Sequence, residues 1–268
     1  MEACLVVVLF WLFFGGTHLG LASPRVRAPL VAGLGESGFR ALFSVVAAVF
    51  FTLLVTYYVG HRFEGPPGPG LGAFAPTRWL LMLVITAAFV LVAGGLAVYP
   101  RSPMALFSAG DGTREARGFE RITRHGFFAG MVLFAAAHAL LATRLVGVLF
   151  CLGLALLPIL GARHQDSRLL LRRGKAYADY LAVTSAVPFA AVRDGRQRIV
   201  WSELPWIWLA AGALAAPILR EFHTAILGHG GVWIVAAVLG GAALASFQAW
   251  RRAQRRRDAP PDLAESAS

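Results

Sequence analysis

Seven stretches of apolar residues, each near the length needed to cross a bilayer, recur along the chain with polar segments between them. They fall at about residues 4–22, 39–59, 79–99, 126–143, 145–162, 205–220 and 231–250. The longest polar segment, about residues 163–203, is too short for an ordinary independent domain. The pattern predicts an all-α protein, a polytopic membrane bundle of about seven transmembrane helices over residues 1–250. A basic and then disordered tail is expected at 251–268. Pro24 and Pro29 break the first connection, and Pro66 to Gly70 is a turn-rich second one. Within 163–203, Tyr177, Tyr180, Leu181 and Thr184 recur at helical spacing behind Arg172, Arg173 and Lys175. This predicts a short helix lying in the membrane interface, its charges a solvated face.

Composition agrees with that picture: 57% of residues are hydrophobic and 15% charged. The net charge of +11 suggests nucleic acid until the basic residues are placed. Of the 25, 21 fall in the first, third, fifth and last polar segments and 4 in the others. This is the positive-inside pattern, with the amino terminus outside and the carboxyl terminus in the cytoplasm of a bacterial inner membrane. The charge is a topology signal, and no nucleic-acid partner is expected; the lipid bilayer is. Met1-Glu2-Ala3 lacks a basic lead, so the first apolar run is expected to persist as a helix and not be removed as a signal peptide. Cys4 and Cys151 both sit in apolar runs, which excludes a disulfide framework, a zinc spacing and Cys-x-x-Cys-His haem attachment.

Against that background two histidines stand out. His18 lies inside the first span between Gly16 and Gly20, with Gly15 one turn away. His138 lies inside the fourth, with Ala135 in the corresponding place. A polar side chain in a membrane helix usually faces the bundle interior and pairs or binds something. Small residues on the same face leave room beside each imidazole. A flat plate between two imidazoles would use that room, and bis-histidine haem is the obvious candidate. The plain alternative is two packing histidines, each donating to a neighbouring carbonyl. His61, at a helix mouth, is expected to be a solvated loop residue.

Several short runs resemble one family. Thr17 to Arg25, Gly38-Phe-Arg40, His61 to Gly65, Thr123-Arg-His125 with Ala137-His138, Gln165-Asp-x-Arg168 and Thr184-Ser-x-x-Pro-Phe189 look like the NnrU family. That family takes in membrane proteins of nitric-oxide metabolism and is related to plant 15-cis-zeta-carotene isomerase. The resemblance covers about residues 11–190. It implies a non-covalent haem b whose iron is held by His18 and His138, with Gly15, Ala135, Arg124 and His125 around the cofactor. It also implies that ferrous iron drives a cis-to-trans change in a polyene. The sequence departs from the plant enzymes at Ala135, where they carry cysteine, and at Gly126, where much of the superfamily has proline. A second, more distant resemblance is to isoprenylcysteine methyltransferases, through Arg124-His125 and Gly174-x-x-Tyr177-x-x-Tyr180; it implies S-adenosylmethionine binding. Lys175 and Ala176 stand where those enzymes carry acidic residues.

Two function classes follow: an accessory or redox protein of nitrogen-oxide metabolism, and an isomerase acting on a carotenoid or similar hydrophobic small molecule. Helix geometry adds a constraint. From the predicted spans, His18 and His138 differ in depth by roughly 13 Å at 1.5 Å per residue. By depth His125 is the better partner for His18, whereas the resemblance selects His138.

Overall fold

The computed structural model describes residues 1–102 and 115–257. Among the described residues ten α-helices carry the chain and there is no strand. They are α1 (Glu2–Ala22), α2 (Pro24–His61), α3 (Ala75–Val98), α4 (Gly126–Leu141), α5 (Leu145–Arg173), α6 (Lys175–Val183), α7 (Ala190–Arg193), α8 (Trp206–Glu221), α9 (His223–Gly228) and α10 (Val232–Arg257). All seven expected spans are therefore helices. Four of them, α1, α2, α3 and α5, have both the length and the apolarity to cross a bilayer; α4 and the apolar part of α10 are shorter. Large apolar side chains such as Leu5, Leu12, Leu83, Leu156 and Ile207 stay exposed on them, as lipid-facing surfaces require. The polyproline turn after α2 is an irregular hairpin pinned to the α4–α5 turn. Gly68 N–H donates to Thr143 O at 2.9 Å and Leu145 N–H to Pro66 O at 2.8 Å.

Successive spans run antiparallel, so the bundle has two ends. The hairpin end holds residues 62–74, the start of α1 and the α4–α5 turn. At the other end lie the first connection, residues 115–125 and the polar segment after α5, the arginine-rich end. α5 occupies the middle: α1 packs on α2 and α5, while α4 packs on α5 and α3, and α8 on α3. Val7, Phe14, Leu54 and Val146 form the core between α1, α2 and α5. α3 and α4 approach through glycines: a Cβ on Gly126 would stand 2.9 Å from Gly95 Cα, and one on Gly130 2.6 Å from Ala88 O.

Three places differ from the sequence expectation. The first connection is not a loop: α2 begins at Pro24, where a missing N–H costs nothing, and bends at Gly35, whose φ of +70° suits glycine. Glu36 holds the bend, bonded to Arg27 at 2.6 Å on one side and to Arg40 at 3.0 Å on the other. α5 does not stop at 162 but continues to Arg173. The helix expected at the interface exists as α6, yet Tyr177 and Tyr180 are buried against Leu169 and Ala116, not laid on lipid. Of the expected basic and disordered tail, residues to 257 continue α10, and 258–268 lie outside the described residues.

Candidate functional sites at the arginine-rich end

Where α4 begins, the chain enters the bundle through Thr123-Arg124-His125. Thr123 Oγ donates to Ala186 O at 2.9 Å, Arg124 N–H donates to Ser185 O at 2.9 Å, and Phe189 N–H donates to Ile122 O at 2.8 Å. The Thr184–Phe189 run thus straps the entry in place. Held this way, Arg124 and His125 both reach Asp166 on α5. The Arg124 guanidinium sits 2.7 Å from one carboxylate oxygen, and His125 Nε2 is 2.9 Å from the other. Tyr177 of α6 donates its hydroxyl to that second oxygen at 2.7 Å. A carboxylate only accepts, so His125 carries its proton on Nε2 and turns Nδ1 away from Asp166. Gly174, at φ +52°, makes the turn that brings Tyr177 back over Asp166. The Gly-x-x-Tyr-x-x-Tyr spacing therefore serves this cluster and a buried tyrosine pair.

Beside the cluster lies a cleft of about 240 Å³, lined by Leu96, Tyr99, His125, Phe127, Phe128 and Gln165 among others. Its walls are apolar and its floor carries Arg124 and His125. A cavity below the ~300–1,000 Å³ of ordinary ligand pockets accommodates the end of a molecule rather than a whole one. Further along the same end, Arg121 and the Gly118 amide both bond Glu203, at 2.9 and 2.7 Å. These bonds hold the Glu203 carboxyl down at about 2.

His18 lies elsewhere at this end, in the α1–α2 seam. Its ring packs 4.8 Å from Phe43 and 5.5 Å from Phe14, and its Nδ1 is buried without a hydrogen-bond partner. A methyl placed on Gly15, one turn before His18, would enter open space, with no atom of another helix within 4 Å.

His138 lies toward the hairpin end. Its Nδ1 donates to Phe134 O at 2.9 Å and its ring lies tilted against Phe134, centroids 4.0 Å apart. His223 is within electrostatic reach. Ala135 is 0% exposed, so here the small residue is packed and leaves no room. His61 is likewise occupied locally, bonded to Tyr57 O and stacked on the Tyr57 ring.

α5 serves as a ruler for depth. Trp11 of α1 lies against Gly153 and Phe150, Phe128 of α4 against Gly161, and Ala142 against Gly147. His18 is then level with roughly residue 160 of α5 and His138 with roughly residue 151, about 14 Å apart at 1.5 Å per residue. Axial ligands sit about 2 Å from an iron on its two faces. α1 and α4 each pack on α5, and the two imidazoles stand on different faces of that helix pair. The structure brings together Arg124 and His125 and adds Asp166 and Tyr177, which the sequence reading did not single out as site residues. The signals available were Asp166 standing as a lone acid just past a span, its place in the Gln165-Asp-x-Arg168 run, and Tyr177 in the Gly-x-x-Tyr-x-x-Tyr spacing.

The family described as NnrU protein matches residues 5–249. Two curated relatives are 15-cis-zeta-carotene isomerases of chloroplasts. The chain is 29% identical over 198 residues to that of Zea mays, covering 72% of this chain and 52% of the relative. It is 28% identical over 199 residues to that of Arabidopsis thaliana, covering 71% and 51%. The chain thus spans about half the length of these relatives. No solved structure matches.

Proposed function

Because this chain belongs to the NnrU family across residues 5–249, we propose that it is a membrane-embedded isomerase of a polyene, acting on a cis double bond of a carotenoid or a molecule of that shape. What carries the proposal is the similarity to two isomerases of a 15-cis carotene over nearly three-quarters of the chain. Physical chemistry agrees with a substrate of this kind. A carotene dissolves in the bilayer, so an enzyme for it must open toward lipid. α1 presents exposed Leu9, Leu12 and Phe13 to the bilayer, and Gly15 leaves space beside His18.

The cofactor in this proposal is a non-covalent haem b held through His18, whose unbonded ring nitrogen is a neutral donor suited to iron. When bound, the haem supplies a redox-active iron next to a conjugated chain. Isomerisation itself leaves the substrate's atoms and electrons unchanged in number. The protein's own residues bind and exclude water: Phe14 and Phe43 wall the imidazole, and the Asp166 cluster fixes α4, α5 and α6 around the cleft. The bacterial inner membrane is the proposed location, with the arginine-rich end in the cytoplasm.

The test is direct. Protein purified in detergent, its haem reduced, is given 15-cis-zeta-carotene and the products are resolved by chromatography. Conversion to the trans isomer at the central bond is expected. Ferrous protein that binds nitric oxide and leaves the carotene untouched would replace this reading with an accessory role in nitrogen-oxide metabolism.

A further inference from the structure

We propose that the cleft at the start of α4 is a binding site of its own, which takes the hydroxylated ring of a membrane-soluble quinol. Two hydrogen-bonding positions left over from the Asp166 cluster carry it. Arg124 spends Nε and Nη2 on the Asp166 carboxylate, at 3.1 and 2.7 Å, and its Nη1 has no partner among the described residues. His125 spends Nε2 on the same carboxylate at 2.9 Å. Its side chain is only 3% exposed, and its Nδ1 takes no hydrogen bond among the described residues. Buried polar atoms are nearly always bonded, so a nitrogen left over at the wall of a cavity asks for a ligand. Both residues line the cleft of about 240 Å³. With Nε2–H donating to Asp166, Nδ1 of the neutral ring is an acceptor, whereas a guanidinium only donates. The cleft therefore offers one donor and one acceptor from consecutive residues.

A hydroxyl complements that pair, giving its O–H to Nδ1 and taking an N–H of Arg124 on the same oxygen. A carboxylate or a ketone has no proton to give and leaves Nδ1 unpaired. The walls select the body that carries the hydroxyl. Tyr99, Phe127 and Phe128 line the cavity, and Phe128 already stacks on the His125 ring, centroids 5.6 Å apart. A flat ring gains edge and offset contacts on such walls that a straight alkyl chain does not. The volume suits one ring and not a whole polyene. The surroundings select the tail. Leu96 and Phe127 of the lining are also exposed on the apolar surface of the bundle, so a chain leaving the cleft between them enters lipid. The cleft opens at the arginine-rich end, where the polar head of such a molecule rests at the membrane interface. A hydroxylated ring with a long apolar tail is a quinol. The site is built from α3, α4 and α5 and uses no atom of His18.

The experiment uses the full chain in detergent, without oxygen, and reads by calorimetry the binding of a short-tailed benzoquinol. Saturable binding at one site per chain is expected. The matching quinone and the quinol dimethyl ether, which lack the O–H, should bind about tenfold more weakly, the scale of one hydrogen bond to a buried group. L96W fills the mouth of the cleft and leaves the Asp166 cluster alone; it is expected to abolish binding while the melting temperature holds. H125Q can still offer an amide N–H to Asp166 but has no Nδ1, and should bind quinol and dimethyl ether with the same weak affinity. His18→Phe is expected to bind the quinol as the unaltered protein does, so this site and the haem reading stand or fall separately. Loss of quinol binding in His18→Phe would overturn that separation. Undisturbed binding in L96W would overturn the placement in the cleft. Equal affinities for quinol, quinone and ether in the unaltered protein would overturn the role of Nδ1. A long-chain fatty acid that binds more tightly than the quinol would replace the quinol with an anionic head. No saturable quinol binding would overturn the site altogether.

Discussion

Two histidine sites lie at the same end of this bundle, and they are finished in opposite ways. At Asp166 every charge meets its complement: the carboxylate receives Arg124, His125 and Tyr177 within 2.7–2.9 Å. In the α1–α2 seam His18 buries a nitrogen with no hydrogen-bond partner among the described residues, and His164 and Arg168 of α5 do the same. A cluster that satisfies itself has the stamp of architecture, since it needs no other molecule to be stable. Unsatisfied donors and acceptors are costly without a ligand, and burying such groups is reasonable only where a ligand completes them. The most eye-catching constellation of the described residues, an Asp–His–Arg–Tyr knot beside a cleft, is on this argument the frame, and the proposed haem reading puts the chemistry at His18 instead.

The sharpest way to break the comparison is to damage the frame. Asp166→Asn keeps the shape and removes the charge that balances Arg124, whose side chain is only 13% exposed. Removing one partner of a buried pair costs about 3–5 kcal/mol. The expected outcome is a large drop in melting temperature in detergent, with haem loss following from unfolding. A variant that melts with the unaltered protein would show that the knot does not hold the fold.

The opposite sign is expected in the seam. His18→Phe fills similar volume among Phe14 and Phe43 and removes an unpartnered polar atom, a gain of about 1–3 kcal/mol if the hole is well filled. Protein freed of haem should melt no lower than the unaltered chain, while haem content falls to background. If His18→Phe destabilises the haem-free protein as much as Asp166→Asn does, the imidazole is structural and the contrast between the two sites disappears.

A smaller and more selective change is Gly15→Leu. It leaves all the nitrogens in place, occupies the space beside His18, and favours the helix by up to about 1 kcal/mol over glycine. Haem content should fall while stability holds. Undiminished haem binding would mean that the cofactor approaches the imidazole from another side.

The frame and the seam were not equally legible in the sequence. Spans of uniform apolarity announce themselves, and so did His18 and His138, because polar residues inside them are rare. The bend at Gly35 was hidden by two prolines that read as loop signals, although Pro24 opens a helix and Pro29 is carried within it. Asp166 was hidden for a different reason: its partners come from residues 124, 125 and 177, and no local pattern joins positions so far apart. Arg163 to Arg173 look like a charged loop, so the continuation of α5 to Arg173 could not be read from periodicity. Depth was legible: the spans alone separated His18 from His138 by nearly the offset that the packed helices show.

The smallest expected effect concerns Glu203, a carboxylate of the frame that faces water. Arg121 and the Gly118 amide hold its carboxyl at about 2, below the ordinary 4.5, so the folded state binds its proton less readily than the unfolded chain. The stabilisation is therefore complete above about pH 4.5 and lost as the pH falls through about 2. Compared with Glu203→Gln, the unaltered protein should melt slightly higher between pH 7 and 5, with a gap that does not change over that range. Below pH 4.5 the gap should narrow steadily. A gap that instead closes between pH 7 and 5 would show that the Glu203 carboxyl is not held below its ordinary range.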